Sequence, residues 1–410
     1  MISVEDALKT CLNLKLPSRI ITLPLDQAQG YRSAHSIVAH FPLPSWNQSA
    51  MDGFAVSSSE TKRTLDVVEV IAAGQWPTQK IQAGQCARIM TGAPMPNGAD
   101  LVVIQENTHY LPTDQTVVLY PEKSQKDCRS LLKTGANVRV KGEETQKGDL
   151  ICSVGQTLHA GLLGYLASQG LTEVEVIDSL KVALISTGDE VIEPGGTLNK
   201  GQIYGTNQIM LHSLVKNTGG EVVFKEHALD TPESVRSVFK RALASNVDLI
   251  ISTGGVSVGD FDPVKGVLAD LEAKLAFWKV KMKPGKPLAV GQIGSTPFFA
   301  LPGNPVSCVV GFLLFLWPLL KKAHGAQPHE WHLPKKTYTL AHDLQKKHQR
   351  AEFMRVRFLP NEHVALTGGQ SSGWVSSIAQ ADGLMMLPAS PIQLKKGDTV
   401  EVLRLPWTLN

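Results

Sequence analysis

Three stretches of the chain place glycines, and two of them acids as well, directly after runs rich in Val, Ile, Leu or Phe. Residues 181–186 lead into Thr187-Gly188-Asp189-Glu190. Residues 248–252 lead into Thr253-Gly254-Gly255-Val256-Ser257-Val258-Gly259-Asp260-Phe261-Asp262, and residues 296–301 into Pro302-Gly303-Asn304-Pro305-Val306-Ser307. Glycine lets a backbone N–H approach a ligand, and a helix starting beyond such a loop adds favourable partial charge for an anion. Together the three stretches point to a site for a phosphorylated or otherwise anionic molecule. Taken singly, each also reads as an ordinary turn, with Glu190, Asp262 and Asp230 as solvated acids or helix-start residues. No G-x-x-x-x-G-K-[ST] and no G-x-G-x-x-G follows such a run, so the ordinary nucleotide motifs are absent.

A second constellation is Lys279-Val280-Lys281-Met282-Lys283-Pro284-Gly285-Lys286-Pro287. In a strand ending at Pro284, Lys279, Lys281 and Lys283 share one face. Ammonium groups so crowded repel one another unless an anion or carboxylates lie between them. The competing reading is a solvated strand face. Prolines on both sides of Gly285-Lys286 restrict the backbone, which favours a fixed lysine. Two further stretches, 49–55 around Asp52 and 88–96 around Thr91, are loops by local physics alone. His329-Glu330-Trp331-His332 has i, i+3 spacing and not the i, i+4 of a zinc helix.

Bringing such loops together requires strands alternating with helices. Residues 181–186, 221–227, 248–252 and 296–301 read as strands. Residues 207–217 read as a helix stopped by Gly219-Gly220. Residues 232–244 read as another, with Thr231 as N-cap, Pro232 in the first turn, and Val235, Val238, Phe239, Ala242 and Leu243 inward. This alternation argues for a parallel sheet covered on both faces, with ligands beyond the strands' carboxyl ends. Upstream, β-prone runs at 65–72, 86–90, 101–105 and 116–120 between Gly, Pro and Asn turns read as a small β domain. Ser3 and Asp6 signal an N-terminal helix burying Val4, Ala7, Leu8 and Cys11. An apolar helix at 159–169, ended by Gly170, is expected to pack beside it. After Ala323, alternating runs at 353–358 and 399–405 indicate a C-terminal all-β module of about 80 residues.

The 410 residues imply two to four domains. An apolar fraction of 43% and a net charge of +3 exclude disorder as the main state and give no argument for nucleic acid. The longest apolar run, 306–320, is interrupted by Pro318 and falls short of the ~20 residues that span a bilayer. Glu5 and Asp6 stand where a signal peptide would be basic, so a cytoplasmic protein is expected. Five scattered cysteines without a C-x-x-C pair fit reduced thiols.

In order, residues 49–55, 88–96 with Gly98-Ala99-Asp100, Lys141-Gly142-Glu143, 186–190 with Gly201-Gln202-Ile203-Tyr204, 252–259, 283–287 and 301–307 resemble a known family. It is the molybdopterin molybdenumtransferases, the bacterial MoeA proteins and the gephyrin E domain, and the likeness spans about residues 3–405. The resemblance implies a multidomain α/β plus β fold. Its parts would be a helical and extended N-terminal domain (1–45 and 137–178), a small β domain (46–136), a three-layer, mostly parallel, MogA-like α/β domain (179–325) and a β-barrel-like C-terminal domain (326–410). It implies insertion of molybdate into adenylylated molybdopterin with release of AMP, using Mg²⁺. The enzyme would be a homodimer whose cleft lies between the α/β domain of one subunit and the second domain of the other.

By the same likeness, Asp52, Thr91, Glu190, Asp230, Asp262, Lys279 and Lys283 would carry the chemistry. Glu190 and Asp262 would handle Mg²⁺ and the pyrophosphate, as oxygen ligands suit that cation. Gly254, Gly255, Ser257, Gly259, Pro302, Gly303, Asn304 and Pro305 would form the substrate loops. Lys286, Arg139, Arg355 and either Ser371 or Ser372 would contact substrate or oxyanion. A molybdopterin adenylyltransferase would supply the substrate and molybdoenzymes would accept the product, with neither nucleic acid nor membrane as partner. Two positions depart from the family: Glu144, where Asp is usual, and Gly205, where a polar side chain is common. The alternatives are a docking scaffold on the same fold, or an enzyme using tungstate or another adenylylated substrate.

Overall fold

The β-branched runs of the second half assemble into a six-stranded sheet. Its strands are β1 (Lys181–Thr187), β2 (Glu221–Ala228), β3 (Leu249–Thr253), β4 (Lys274–Trp278), β5 (Ala289–Ile293) and β6 (Thr296–Leu301), in the order β2-β1-β3-β6-β5-β4. This computed structural model describes residues 1–123, 129–255 and 263–409. Strands β2, β1, β3 and β6 run parallel, β5 runs antiparallel beside β6, and β4 pairs antiparallel with β5 at the edge. Every residue of β3 is buried, as is all of β1 after Lys181, so these strands read as continuous apolar runs without alternation.

Helices α1 (Val4–Leu12), α2 (Ala160–Ser168), α3 (Asn207–Asn217), α4 (Pro232–Ala244) and α5 (Pro263–Asp270) precede a long helix, α6 (Pro305–Ala323). Alternate β1 and β3 residues feed two cores. Val182, Leu184 and Ile251 pack with α1, α3 and α6, while Ala183, Ile185 and Ile250 pack with α4 and α5. The result is the expected three-layer arrangement. Thr231 caps α4 by accepting from the Ser234 N–H at 3.2 Å, and Pro232 occupies its first turn. Helix α6 is long and apolar enough to cross a bilayer, but 78% of its apolar window is buried in the protein, the state of a core helix.

The N-terminal helix departs from expectation. Ser3 caps it, but Ala7 and Cys11 are buried against α6 and the sheet core. The two separated N-terminal segments meet instead through strands, Ile20–Pro24 pairing with Glu173–Ile177. Arg19, next to the first of these, donates to both oxygens of Asp248 at 2.8 and 2.6 Å.

The C-terminal strands Lys335–Leu340, Ala351–Leu359, His363–Leu366, Gly383–Leu387 and Thr399–Arg404 close into a five-stranded barrel around Leu340, Val356, Val364, Met385 and Val402. The short strand Met282–Lys283 adds to it in parallel, pairing with Ala351 and Glu352. These elements belong to one compact unit, Met1–His35, Val154–Leu163 and Thr172–Asn410. The other unit, Ser36–Ser153 and Gly164–Leu171, holds a six-stranded sheet. Its order is Leu101–Ile104, Gly53–Val56, Gln85–Ile89, Thr64–Ile71, Thr116–Leu119 and Thr108–Leu111. Cys11, Cys86 and Cys308 are buried free thiols, and Cys152 is buried as well.

Candidate active site

The carboxyl ends of β1, β2, β3 and β6 open on a cavity of about 770 Å³. Glu190, Gly254, Gly255, Pro302, Gly303, Asn304 and Pro305 all line it, so the three loops converge. Those after β3 and β6 are lashed together from the start of α3. Asn207 Nδ2 donates to Thr253 Oγ1 at 2.8 Å and to the Gly303 carbonyl at 2.7 Å, and Thr253 Oγ1 donates to the Pro302 carbonyl at 3.1 Å. Gly254 has φ +94°, and a Cβ there would stand 2.6 Å from Thr187 Oγ1 and 2.7 Å from its carbonyl oxygen. Only glycine brings the β3 loop so close to β1.

Among the described residues, Thr187 Oγ1, Asn207 Oδ1 and His227 Nε2 are buried polar atoms of cavity-lining residues that have no partner. Leaving such a group unpaired costs about 1–3 kcal/mol, which a polar ligand recovers. His227 Nδ1 is 2.9 Å from Ser186 Oγ.

Asp230 also lines the cavity. Thr231, not Asp230, caps α4, and the Asp230 backbone N–H donates to Asp189 Oδ1 at 3.0 Å. Its carboxylate is thus not spent on the helix. Ser257, Gly259 and Asp262 lie outside the described residues. No cluster of three or more His, Cys, Asp or Glu able to hold a metal occurs among the described residues. Mg²⁺ needs none, because it keeps several waters and takes one or two carboxylates plus substrate phosphates. Glu190 and Asp230, oxygen donors that line the same cavity, fit that mode.

The helix N-terminus at Pro305 differs from expectation. Its Val306 N–H already donates to the Ser372 carbonyl at 3.0 Å, and Gly373 and Val375 complete that wall. Ser372 thereby enters through its backbone. Ser371 also acts through its carbonyl, which accepts from Arg355 Nη2 at 3.1 Å. Arg355 is 1% exposed, and its Nε donates to Ser377 Oγ at 3.3 Å. Burial pulls its guanidinium down to about 10, so it stays charged at neutral pH.

The lysines do not share a strand face. Lys279 adopts φ +73°, which ends β4 at Trp278, and only Met282 and Lys283 are extended beyond it. Lys283 Nζ lies 2.9 Å from Glu352 Oε1, while Lys286 is exposed. Lys279, Lys283, Lys286 and Arg355 are not among the lining residues, although Pro287 is.

In the second unit, Asp52 Oδ1 accepts from the Thr91 N–H at 2.7 Å and from its hydroxyl at 2.8 Å. These bonds hold the Asp52 carboxyl below its usual range. Asp52 lines a pocket of about 100 Å³ with Arg88, Gln105, Thr108 and Tyr110. Arg139 is exposed on the strand Val138–Arg139, opposite Gln48. Glu144 is exposed, and its N–H donates to the Leu43 carbonyl at 3.0 Å. Gly205 lines the large cavity, where a Cβ would stand 3.0 Å from Val191 Cγ1.

Sequence reasoning assigned no role to Thr187, His227, Glu352 or Arg88. Strand position alone signalled the first two, at the carboxyl ends of β1 and β2. Glu352 and Arg88 carry no local signal.

Comparison with known proteins adds independent findings. Residues 2–170 match the MoeA N-terminal region (domain I and II), residues 183–322 a probable molybdopterin binding domain, and residues 337–405 the MoeA C-terminal region (domain IV). The chain is 33% identical to a molybdopterin molybdenumtransferase of Staphylococcus epidermidis, covering 98% of this chain and 95% of that one. It is 32% identical to that of Staphylococcus aureus, with the same coverage. A molybdopterin biosynthesis MoeA protein of Pyrococcus horikoshii superposes with a TM-score of 0.83 at 29% identity, over 98% of this chain and 99% of that one.

Proposed function

The chain belongs to the MoeA family of molybdopterin molybdenumtransferases, and from that premise we propose that it inserts molybdate into the dithiolene of adenylylated molybdopterin and releases AMP. It is a transferase of molybdenum cofactor biosynthesis with a MoeA fold. The observation that carries the finer reading is the cavity that Glu190 and Asp230 line together with the β3 and β6 loops, which Asn207 lashes to each other.

In this reading the Gly254 and Gly303 loops hold the nucleotide-linked pterin, and the unpaired Thr187 and Asn207 oxygens bond to it. Glu190 and Asp230, with Asp262 from beyond the described residues, would hold Mg²⁺ beside the pyrophosphate. When bound, the ion would polarise phosphoryl oxygens and offset charge on the leaving AMP. Lys283 and Arg355, outside that lining, would supply positive charge that draws in a dianion, an attraction far stronger at low dielectric than in water. Asp52 and Thr91 would meet the substrate across a homodimer interface. Lys279, Lys286, Arg139 and Ser371 remain supporting candidates. The protein would work in the cytoplasm, between an adenylyltransferase and the molybdoenzymes.

The test is purified protein with adenylylated molybdopterin, molybdate and Mg²⁺. AMP release is expected, falling more than about tenfold in Glu190→Gln, since general electrostatic contributions at such sites are of that order or larger. Release no greater than that of heat-inactivated protein overturns the proposal. Tungstate added in competition decides which oxyanion is preferred.

A further inference from the structure

Arg88 stands on the strand Gln85–Ile89, opposite Phe54. Its guanidinium lies over the Tyr110 ring, 5.3 Å from the centroid, and that ring packs against Phe54 at 5.5 Å. A cation over an aromatic face is attracted by the ring's negative quadrupole, which helps hold the guanidinium at that place in the pocket. Among the described residues, no protein acceptor takes any of those donors. The side chain is half-buried and lines the small pocket with Asp52. The two charges are not in ion-pair contact, and Thr91 already occupies Asp52 Oδ1. The pocket of about 100 Å³ therefore lies beside a guanidinium that steadies the Asp52 charge through space and whose N–H donors no described protein atom accepts. That space suits one small polar group, given that a water's share of liquid volume is about 30 Å³.

We propose that Arg88 is a substrate-contacting residue that receives a tetrahedral oxyanion of the reactants in the pocket it shares with Asp52. The oxyanion is a phosphoryl group of the adenylylated pterin or molybdate itself. The inference rests on the functional reading above, in which the Asp52 pocket meets substrate. The guanidinium fork matches two oxygens of such an anion, as an ammonium does not. The Asp52 carboxylate beside it repels anions, and Arg88 offsets that repulsion.

The experiment measures KM for adenylylated molybdopterin and for molybdate separately, in the full-length enzyme. Arg88→Gln should raise one of the two on the order of 10- to 100-fold, the range of a lost charge-assisted pair. The substrate affected identifies the oxyanion. Arg88→Lys keeps the charge without the fork and should recover only part of the loss. Should Arg88→Gln fold poorly, Tyr110→Leu keeps the guanidinium, removes its seat, and should raise the same KM. If both KM values stay within twofold of the wild type in these variants, the inference falls, whatever kcat does, while the enzyme's activity stands. A wild-type protein that releases no AMP overturns the functional reading and this inference together.

Discussion

Lys283 is held by an acid 69 positions further along the chain, and that pairing changes what the lysine cluster is. Glu352 is 5% exposed, with one oxygen 2.9 Å from Lys283 Nζ and the other 3.0 Å from His348 Nε2. Lys346, also buried, gives its ammonium to the carbonyls of His348 at 2.6 Å and Ser390 at 2.7 Å. Burial pulls the Lys346 ammonium below its ordinary range. Of the lysines that the sequence groups together, Lys283 is thus the one that this internal carboxylate pairs, beside His348. Replacing it in Glu352→Gln removes that charge from between its basic neighbours. The variant should lose about 1–3 kcal/mol of stability, the cost of unpairing a buried polar group, and should bind molybdate several-fold more weakly. Thermal melting and the molybdate KM check this; no change in either sinks the positioning role.

At the scale of elements, the brace between Arg19 and the start of β3 is the testable case. Burial pushes the Asp248 carboxyl up, but the Arg19 hydrogen bonds and the Lys181 N–H outweigh it and set the net shift downward from 3.8. A depressed folded value means the contribution is fully present above the unfolded pKa and is lost as pH falls through the folded one. Arg19 is 39% exposed, so Arg19→Met should cost only about 1 kcal/mol near neutrality. The variant should unfold at a higher pH on acidification, converging with the wild type below the folded pKa of Asp248. Acid titration followed by circular dichroism reads this, and a stability difference independent of pH contradicts it.

Most of these elements were legible because apolar period and cap residues agree locally. Thr296–Leu301, Asn207–Asn217 and Pro232–Ala244 fall where the pattern puts them. Strands β4 and β5 were not legible, for two reasons. Gly291 interrupts β5 because a Cβ there would stand 2.5 Å from the Lys274 carbonyl oxygen, and a mid-strand glycine weakens the pattern. The left-handed turn at Lys279 then displaces the strand from the lysines. The site was legible as loops, since each glycine run follows a strand. The Asn207 lash joins residues 46 and 96 positions away, a coupling that no local window contains.

At the scale of the whole molecule, the proposed cross-subunit cleft makes a prediction about mixtures. Asp52→Asn and Glu190→Gln should each be inactive alone. Subunit exchange between them should restore one intact site of two, about half the wild-type activity per mixed dimer, as two-fold symmetry requires. AMP release before and after exchange, with light scattering to count subunits, reads this directly. Mixtures as dead as their parents would place both residues on one subunit's site or on none. A last consequence concerns how the protein is handled. Ile2 donates its N–H to the Lys279 carbonyl at 3.2 Å and accepts from the Lys281 N–H at 2.8 Å. The second residue is thus a splint on the basic segment, and a purification handle fused ahead of it, or a peptidase trimming it, tugs on the lysines themselves. Poor affinity in an amino-terminally tagged preparation would then report the tag.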